Sequence, residues 1–263
     1  MNELRLRSEI IPRVEPIPGV PGASVLTDVL SAEECAEFLR IVEYDQKLDT
    51  TEIEGDRPVW PRRITFRSKV ENEDLANDFL DRLRPVLPEI LEFHEEDPEM
   101  GGLLVGQWKI HSINPQISFL KYTEGGVFTR HRDGIYIAHE DLRSMITILV
   151  YLNGEYSGGR TCAFSDDESI VFPVEPAPGK AFCMLQRVLH EGGEVLSGEK
   201  HVVRLDILYE RQTALDPERY EQNQLASHYL QMAQDFERAH QGMKAVEYYK
   251  KAFRPNPGLE QLM

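Results

Sequence analysis

The sequence predicts a mainly β protein of the α+β kind, in which a sandwich or barrel of antiparallel strands is flanked by helices. Three observations carry this expectation. From Gly106 to Tyr209 the chain is a run of short β-rich segments, WKIHSI, QISFLKY, SMITILVYLN, RTCAF, SIVFPV, KAFCMLQ and HVVRLDILY, separated by Gly, Asn, Asp and Pro. Before it, SAEECAEFLRIVEY and ENEDLANDFLDRLRPVLPEILEFHEE carry apolar residues at helical spacing. After Thr213 the texture is helical to the end.

Residues 1–22 contain Pro12, Pro16, Pro18 and Pro21 and read as an extended lead-in. The first helix starts at a capping box, with Ser31 as cap and Glu34 three residues on. The second helical region, 71–96, is expected to break at Pro85 and Pro88. Residues 23–213 then form the main domain, with its β-core at about 106–210, and 214–263 a helical segment. The length of 263 residues suits one large domain, or one domain plus an appendage.

Composition narrows the function classes. The formal net charge is −16, which repels phosphate backbones and anionic lipid and argues against nucleic acid and membrane as partners. Cys35, Cys162 and Cys183 are far apart, odd in number and without CxxC spacing, so they read as reduced thiols. The N-terminus MNELRLRSEI lacks the apolar run of a secretory signal, and no 18-residue apolar stretch occurs. The expectation is a cytoplasmic protein.

The chemistry concentrates in FTRHRDGIYI, residues 128–137. Residues two apart in a strand point to the same face, so His131 and Asp133 aim at one point and Arg132 away from it. An imidazole and a carboxylate are two ligands of the 2-His-1-carboxylate set that holds iron(II) on one face and leaves positions open. The third should be a histidine downstream on a strand that returns alongside, and His190, in MLQRVLHEGG, is the candidate. His94, His111, His139 and His201 read as structural or solvated, and EEDPE (95–99) as a loop without calcium-loop spacing. Gly125-Gly126 and Gly158-Gly159 read as turns, since neither pair opens a helix.

LKYTEGGVFTRHRDG, ITILVYLNGEYSGGRTCAF and VEPAPGKAFCMLQRVLHEGGEVLSGEK follow in order over residues 110–210. Together they resemble the prolyl-4-hydroxylase-like family of iron(II)/2-oxoglutarate dioxygenases. The resemblance implies a double-stranded β-helix (jelly-roll) core, with His131, Asp133 and His190 as iron ligands and catalytic centre. It implies Fe(II), 2-oxoglutarate and O2, with ascorbate as reductant, and hydroxylation of an unactivated C–H bond with release of succinate and CO2. Lys200, ten residues after His190, matches the basic residue that binds the C5 carboxylate of 2-oxoglutarate, with Arg204 second in line or a helper. Arg204 has two other roles open to it, a pair with Asp206 or a grip on a substrate carboxylate. Tyr122, Tyr151 and Thr161 match groups around the co-substrate. Phe128 stands where many members have tyrosine. The presence of Asp133 favours hydroxylation over halogenation, since halogenases of this class lack that carboxylate.

The family's substrates are peptidyl residues, free amino acids and small natural products. Arg130, Arg132 and Arg143, near the motif, are candidates for holding a substrate carboxylate, with surface salt bridges the alternative for Arg130 and Arg132. The other reading is a non-hydroxylating β-helix metal protein, a cupin-like isomerase or a sensor of 2-oxoglutarate or oxygen. Lys200 discriminates, since a cupin needs no buried cation there. Residues 226–259 resemble one tetratricopeptide repeat, on Tyr229, Ala233, Phe236, Ala245, Tyr249, Ala252 and Pro257. One such repeat cannot bury its own apolar face, so the hairpin is expected to pack on the β-core or to form a homodimer.

Overall fold

The computed structural model describes residues 5–7, 9–44, 49–53, 63–94, 104–139, 141–212, 217–238 and 241–255. In chain order the elements are β1 (Arg13–Pro16), β2 (Ala23–Thr27), α1 (Ala32–Tyr44), β3 (Asp49–Ile53), β4 (Arg63–Glu71), α2 (Glu73–Leu83), a 3₁₀ turn (Arg84–Val86), β5 (Ile90–Phe93), β6 (Gly106–Ile113), β7 (Gln116–Tyr122) and β8 (Val127–His131). There follow β9 (Ile137–His139), β10 (Leu142–Tyr151), β11 (Ser157–Gly158), β12 (Thr161–Phe164), β13 (Val171–Val174), β14 (Ala181–Leu185), β15 (His190–Gly192), β16 (Val195–Ser197), β17 (Lys200–Arg211), α3 (Pro217–Arg238) and α4 (Gly242–Phe253). All seven β-rich runs of the expected core are strands. The charge cluster 95–99 and Pro257 lie outside the described residues.

Two compact units are built from these elements. The first comprises Met1–Leu87, Ser112–Asp133 and Ile146–Ile207. Its strands follow the path β1-β2-β14-β10-β17-β7-β4-β8-β15-β12-β13. Val25 and Phe182, from near one end of that path, share one buried cluster with Ala163 and Val174, from the other end. Leu120, Tyr122, Tyr151 and Val202 from the middle join it. Strands at opposite ends of a path share a core only when the sheet curls, so the fold is a jelly-roll-like half-barrel.

The N-terminal lead-in turns out to be part of this sheet. Arg13–Pro16 pairs antiparallel with Ala23–Thr27, and β2 pairs in turn with β14. Pro16 is tolerated because β1 is the end of the path, where a missing N–H breaks no ladder. The capping box at α1 forms in both directions: the Glu34 N–H donates to Ser31 Oγ at 3.1 Å, and the Ser31 N–H donates to Glu34 Oε2 at 2.9 Å. Glu34 also receives the buried Arg82 guanidinium of α2, at 2.7 Å and 3.0 Å, so one carboxylate ties the first helix to the second.

The second unit comprises Pro88–His111, Gly134–Met145 and Leu208–Met263. The helical region over 71–96 breaks near its prolines as expected, but the part after Pro88 needs correction. α2 stops at Leu83, Leu87 is extended with ψ 148°, and Ile90–Phe93 is a strand paired with β6. Pro88 accounts for this, since a proline disfavours the helical region for the residue before it. Trp108 is fully buried and donates its indole N–H to the Leu104 carbonyl at 2.8 Å. The α3–α4 hairpin closes largely on itself. Ala226, Leu230 and Ala233 face Ala245 and Ala252 as its buried residues, and Phe236 and Tyr229 meet Tyr248 at ring distances of 5.1 Å and 6.2 Å. α3 also lies against β9. No helix among the described residues is long and apolar enough to cross a membrane.

The Glu34–Arg82 pair gives the fold its first test. Glu34→Ala leaves a buried guanidinium without its carboxylate, and the expected loss is about 3–5 kcal/mol in urea unfolding. The double variant Glu34→Leu/Arg82→Leu should recover part of that loss, because the uncompensated charge is gone.

Candidate metal centre

Two strands and the segment that follows one of them deliver the proposed ligands. His131 closes β8 and stands opposite His190 of β15 in an antiparallel register. On its other side β15 pairs with β12, where His190 stands opposite Ala163. The strand ends at His131, so Asp133 sits in the segment just beyond it, where its N–H donates to the Gln186 carbonyl at 3.0 Å. The three ligand atoms lie within 4.8 Å of one another, and all three residues are buried. Nε2 of His131 is 3.6 Å from Asp133 Oδ1, and Nε2 of His190 is 4.0 Å from it.

The donor set fits a divalent ion. His131 Nδ1 lies 2.7 Å from the Thr129 carbonyl and His190 Nδ1 lies 3.0 Å from the Val188 carbonyl. A carbonyl can only accept, so each Nδ1 carries a proton and Nε2 is the nitrogen turned to the metal position. Burial pushes the His190 pKa down to about 4 against the pull of Asp133, which keeps that imidazole neutral. Burial disfavours the Asp133 carboxylate, but Arg204, with Nη2 at 3.6 Å, and the two histidines outweigh it and hold the group well below the usual carboxylate range. Asp133 Oδ2 is buried without a hydrogen bond. Two imidazoles and one carboxylate are the set that suits iron(II).

These ligands open onto a cavity of about 450 Å³, its mouth included. Lys200, Val202 and Arg204 line it from β17, with Leu120 and Tyr122 of β7. The two strands are in register there, with Lys200 opposite Tyr122 and Val202 opposite Leu120. Lys200 is 4% exposed, and its ammonium donates to the Gly159 carbonyl at 2.7 Å and to Thr161 Oγ1 at 3.2 Å. Gly159 has φ +60°, a left-handed conformation that a side chain would strain, and its turn brings that carbonyl to the lysine. Burial pushes the Lys200 pKa down to about 8. Arg204 is bound to Asp206 at 3.0 Å, the pairing left open by the sequence.

Of the other expected site residues, Thr161 and Phe128 line the cavity. The Phe128 ring stacks on His131 with centroids 3.4 Å apart. Tyr151 is buried and does not line the cavity; its ring flanks the Lys200 ammonium at 5.7 Å, and its hydroxyl has no hydrogen bond. Arg130 and Arg143 are not cavity residues. Arg130 is exposed and pairs with Glu168 at 2.8 Å and Glu191 at 3.3 Å. Arg143 is fully buried in the second unit, over the Trp108 ring at 5.2 Å. Arg132 donates to the Arg187 carbonyl at 2.9 Å. His94, His111 and His139 are exposed, and His201 pairs with Glu199 at 3.3 Å. The sequence reading missed Arg63, Leu120, Leu149, Gly192 and Val202.

Residues 117–206 match the 2OG-Fe(II) oxygenase superfamily, a span that contains the whole triad and Lys200. This segment belongs to that superfamily. The oxygenase segment lies within a chain that matches no curated protein. Solved structures similar to the chain include a Pseudomonas putida prolyl-4-hydroxylase, at 19% identity and TM-score 0.49 over 73% of this chain and 94% of that one. A Trichoplax adhaerens prolyl hydroxylase, solved with a hypoxia inducible factor peptide fragment, shows 15% identity and TM-score 0.49 over 71% of this chain and 83% of that one. The viral collagen prolyl hydroxylase of Paramecium Bursaria Chlorella virus-1 shows 14% identity and TM-score 0.47 over 73% and 97%. Identities this low carry no substrate across.

Anaerobic titration with Fe(II) should raise the stability of the oxygenase by about 2.7 kcal/mol at a hundredfold excess over Kd. Chelator should reverse the shift, and neither His131→Ala nor His190→Ala should show it.

Proposed function

We propose that the protein is a hydroxylase that uses Fe(II), O2 and 2-oxoglutarate to oxidise an unactivated C–H bond of a peptidyl residue, a free amino acid or a small natural product. Lys200 carries this reading. A buried ammonium with no carboxylate beside it among the described residues supports a role in holding an anion from the cavity. Arg204 is the weaker candidate because Asp206 and Asp133 already compensate its charge. Iron, when bound, supplies the coupling of O2 reduction and 2-oxoglutarate decarboxylation to oxidation of the substrate.

The protein's own part is positional and electrostatic. His131, Asp133 and His190 hold the ion on one face of the cavity. Lys200 takes the C5 carboxylate, and Gly159 and Thr161 aim its ammonium. Leu120, Leu149 and Val202 make the wall apolar and keep water from the reacting groups. Arg204 braces Asp133 in its ionised form. Ascorbate fits as the external reductant.

Succinate should form from 2-oxoglutarate in the presence of Fe(II) and ascorbate, and Lys200→Ala should abolish co-substrate saturation. A Lys200→Ala protein with an unchanged 2-oxoglutarate Kd would refute the assignment. The pH dependence has a definite sign. Lys200 is half-charged near pH 8, charged well below it and neutral well above it, with Tyr122, Tyr151 and Cys162 as its titratable neighbours. Calorimetric affinity for 2-oxoglutarate should be flat below pH 8 and fall by roughly tenfold per unit above it.

A further inference from the structure

Two cations in the cavity have no carboxylate within ion-pair distance among the described residues. One is Lys200. The other is Arg63, the first residue of β4, which is 7% exposed and lines the cavity. β4 pairs with β8 so that Arg63 stands opposite Phe128. The guanidinium lies over the Phe128 ring at 4.8 Å, and that ring covers His131. Arg63 Nε is buried without an acceptor. A buried guanidinium N–H left unbonded is costly, and a planar fork of donors fits a carboxylate better than any neutral group.

The co-substrate has one carboxylate to be held away from the metal, and Lys200 accounts for it. Arg63 stands over the Phe128 ring that covers His131, beside the metal ligands. We infer that Arg63 is a specificity-determining residue that binds a carboxylate of the substrate, and that the substrate is a small free carboxylic acid of the amino-acid type. This rests on the dioxygenase reading above. An internal peptide residue offers only neutral amides, which can accept from Arg63 but bring no counter-charge to it. An acidic side chain of a peptide has the right chemistry, but an exterior with formal net charge −16 repels an acidic chain more than a small monoanion.

The test uses full-length protein loaded with Zn(II), which is redox-inert. Calorimetry measures the 2-oxoglutarate Kd. Ligand-observed NMR then measures binding of a panel of free L-amino acids, the same compounds as amides, and acetylated, amidated tripeptides with and without aspartate. The wild type should bind at least one free acid roughly tenfold more tightly than its amide. Arg63→Gln should erase that preference by weakening the acid and not the amide, with its 2-oxoglutarate Kd within roughly threefold of wild type as the check on folding. Arg63→Lys, which keeps the charge, should restore part of it.

The inference is overturned if no acid of the panel binds, if acids and amides bind alike in the wild type, or if aspartate tripeptides are preferred to free acids. An Arg63→Gln protein that loses 2-oxoglutarate as Lys200→Ala does would overturn it too, by assigning Arg63 to the co-substrate. The dioxygenase reading fails differently, through a wild-type protein that binds no 2-oxoglutarate. The comparison of acid with amide in the wild type needs no variant to fold.

Discussion

The register of β8 against β15 is the constraint on which the metal centre depends. It sets His131 opposite His190, and the continuing backbone brings Asp133 within reach of both. A slip of one residue in either strand would turn its ligand to the opposite face. The surrounding pairings guard against such a slip. β15 is held on its far side by β12, with Ala163 opposite His190, and β8 is held on its far side by β4. The triad is thus fixed by strands that carry none of its ligands.

Charge inside the cavity follows from the same geometry. Lys200 and Arg204 are four residues apart on one strand and face the same way, yet their surroundings separate their roles. Arg204 meets Asp206 and Asp133, so its charge is spent within the protein, and it keeps the metal carboxylate ionised. Lys200 meets a carbonyl, a hydroxyl and two aromatic rings, none of which carries a compensating negative charge. The distinction between them is one of neighbours, and residue type alone does not make it.

That difference explains what could be read from the chain. The strand runs after Gly106 and the box at Ser31 and Glu34 are local patterns that became the expected local structure, while His131 and Asp133 converge as expected although the strand ends at His131. Arg63 carried no such mark. It reaches the cavity because β4, far upstream, pairs with both β7 and β8, and nothing within a few residues of Arg63 announces a pairing at that range. Arg143 shows the converse. It lies near the motif in sequence, but its strand carries it to Trp108. The segment after Pro88 misled for a third reason: apolar residues in EILEF suit either a helix or a strand, and only the partner β6 decides.

The pairing of β4 with both β7 and β8 also bears on how the chain reaches its native state. β7 and β8 are consecutive in sequence and pair one after the other along β4, with Phe66 opposite Lys121 and Arg63 opposite Phe128. The wall that carries Phe128 and His131 therefore forms only through contacts between segments distant along the chain, and such closures are slow because loop entropy is lost before contacts compensate for it. During synthesis β4 can pair with β3, which precedes it, but must wait for β7 and β8. Capture of the metal is then a late event, possible only after His190 has followed and the sheet has curled.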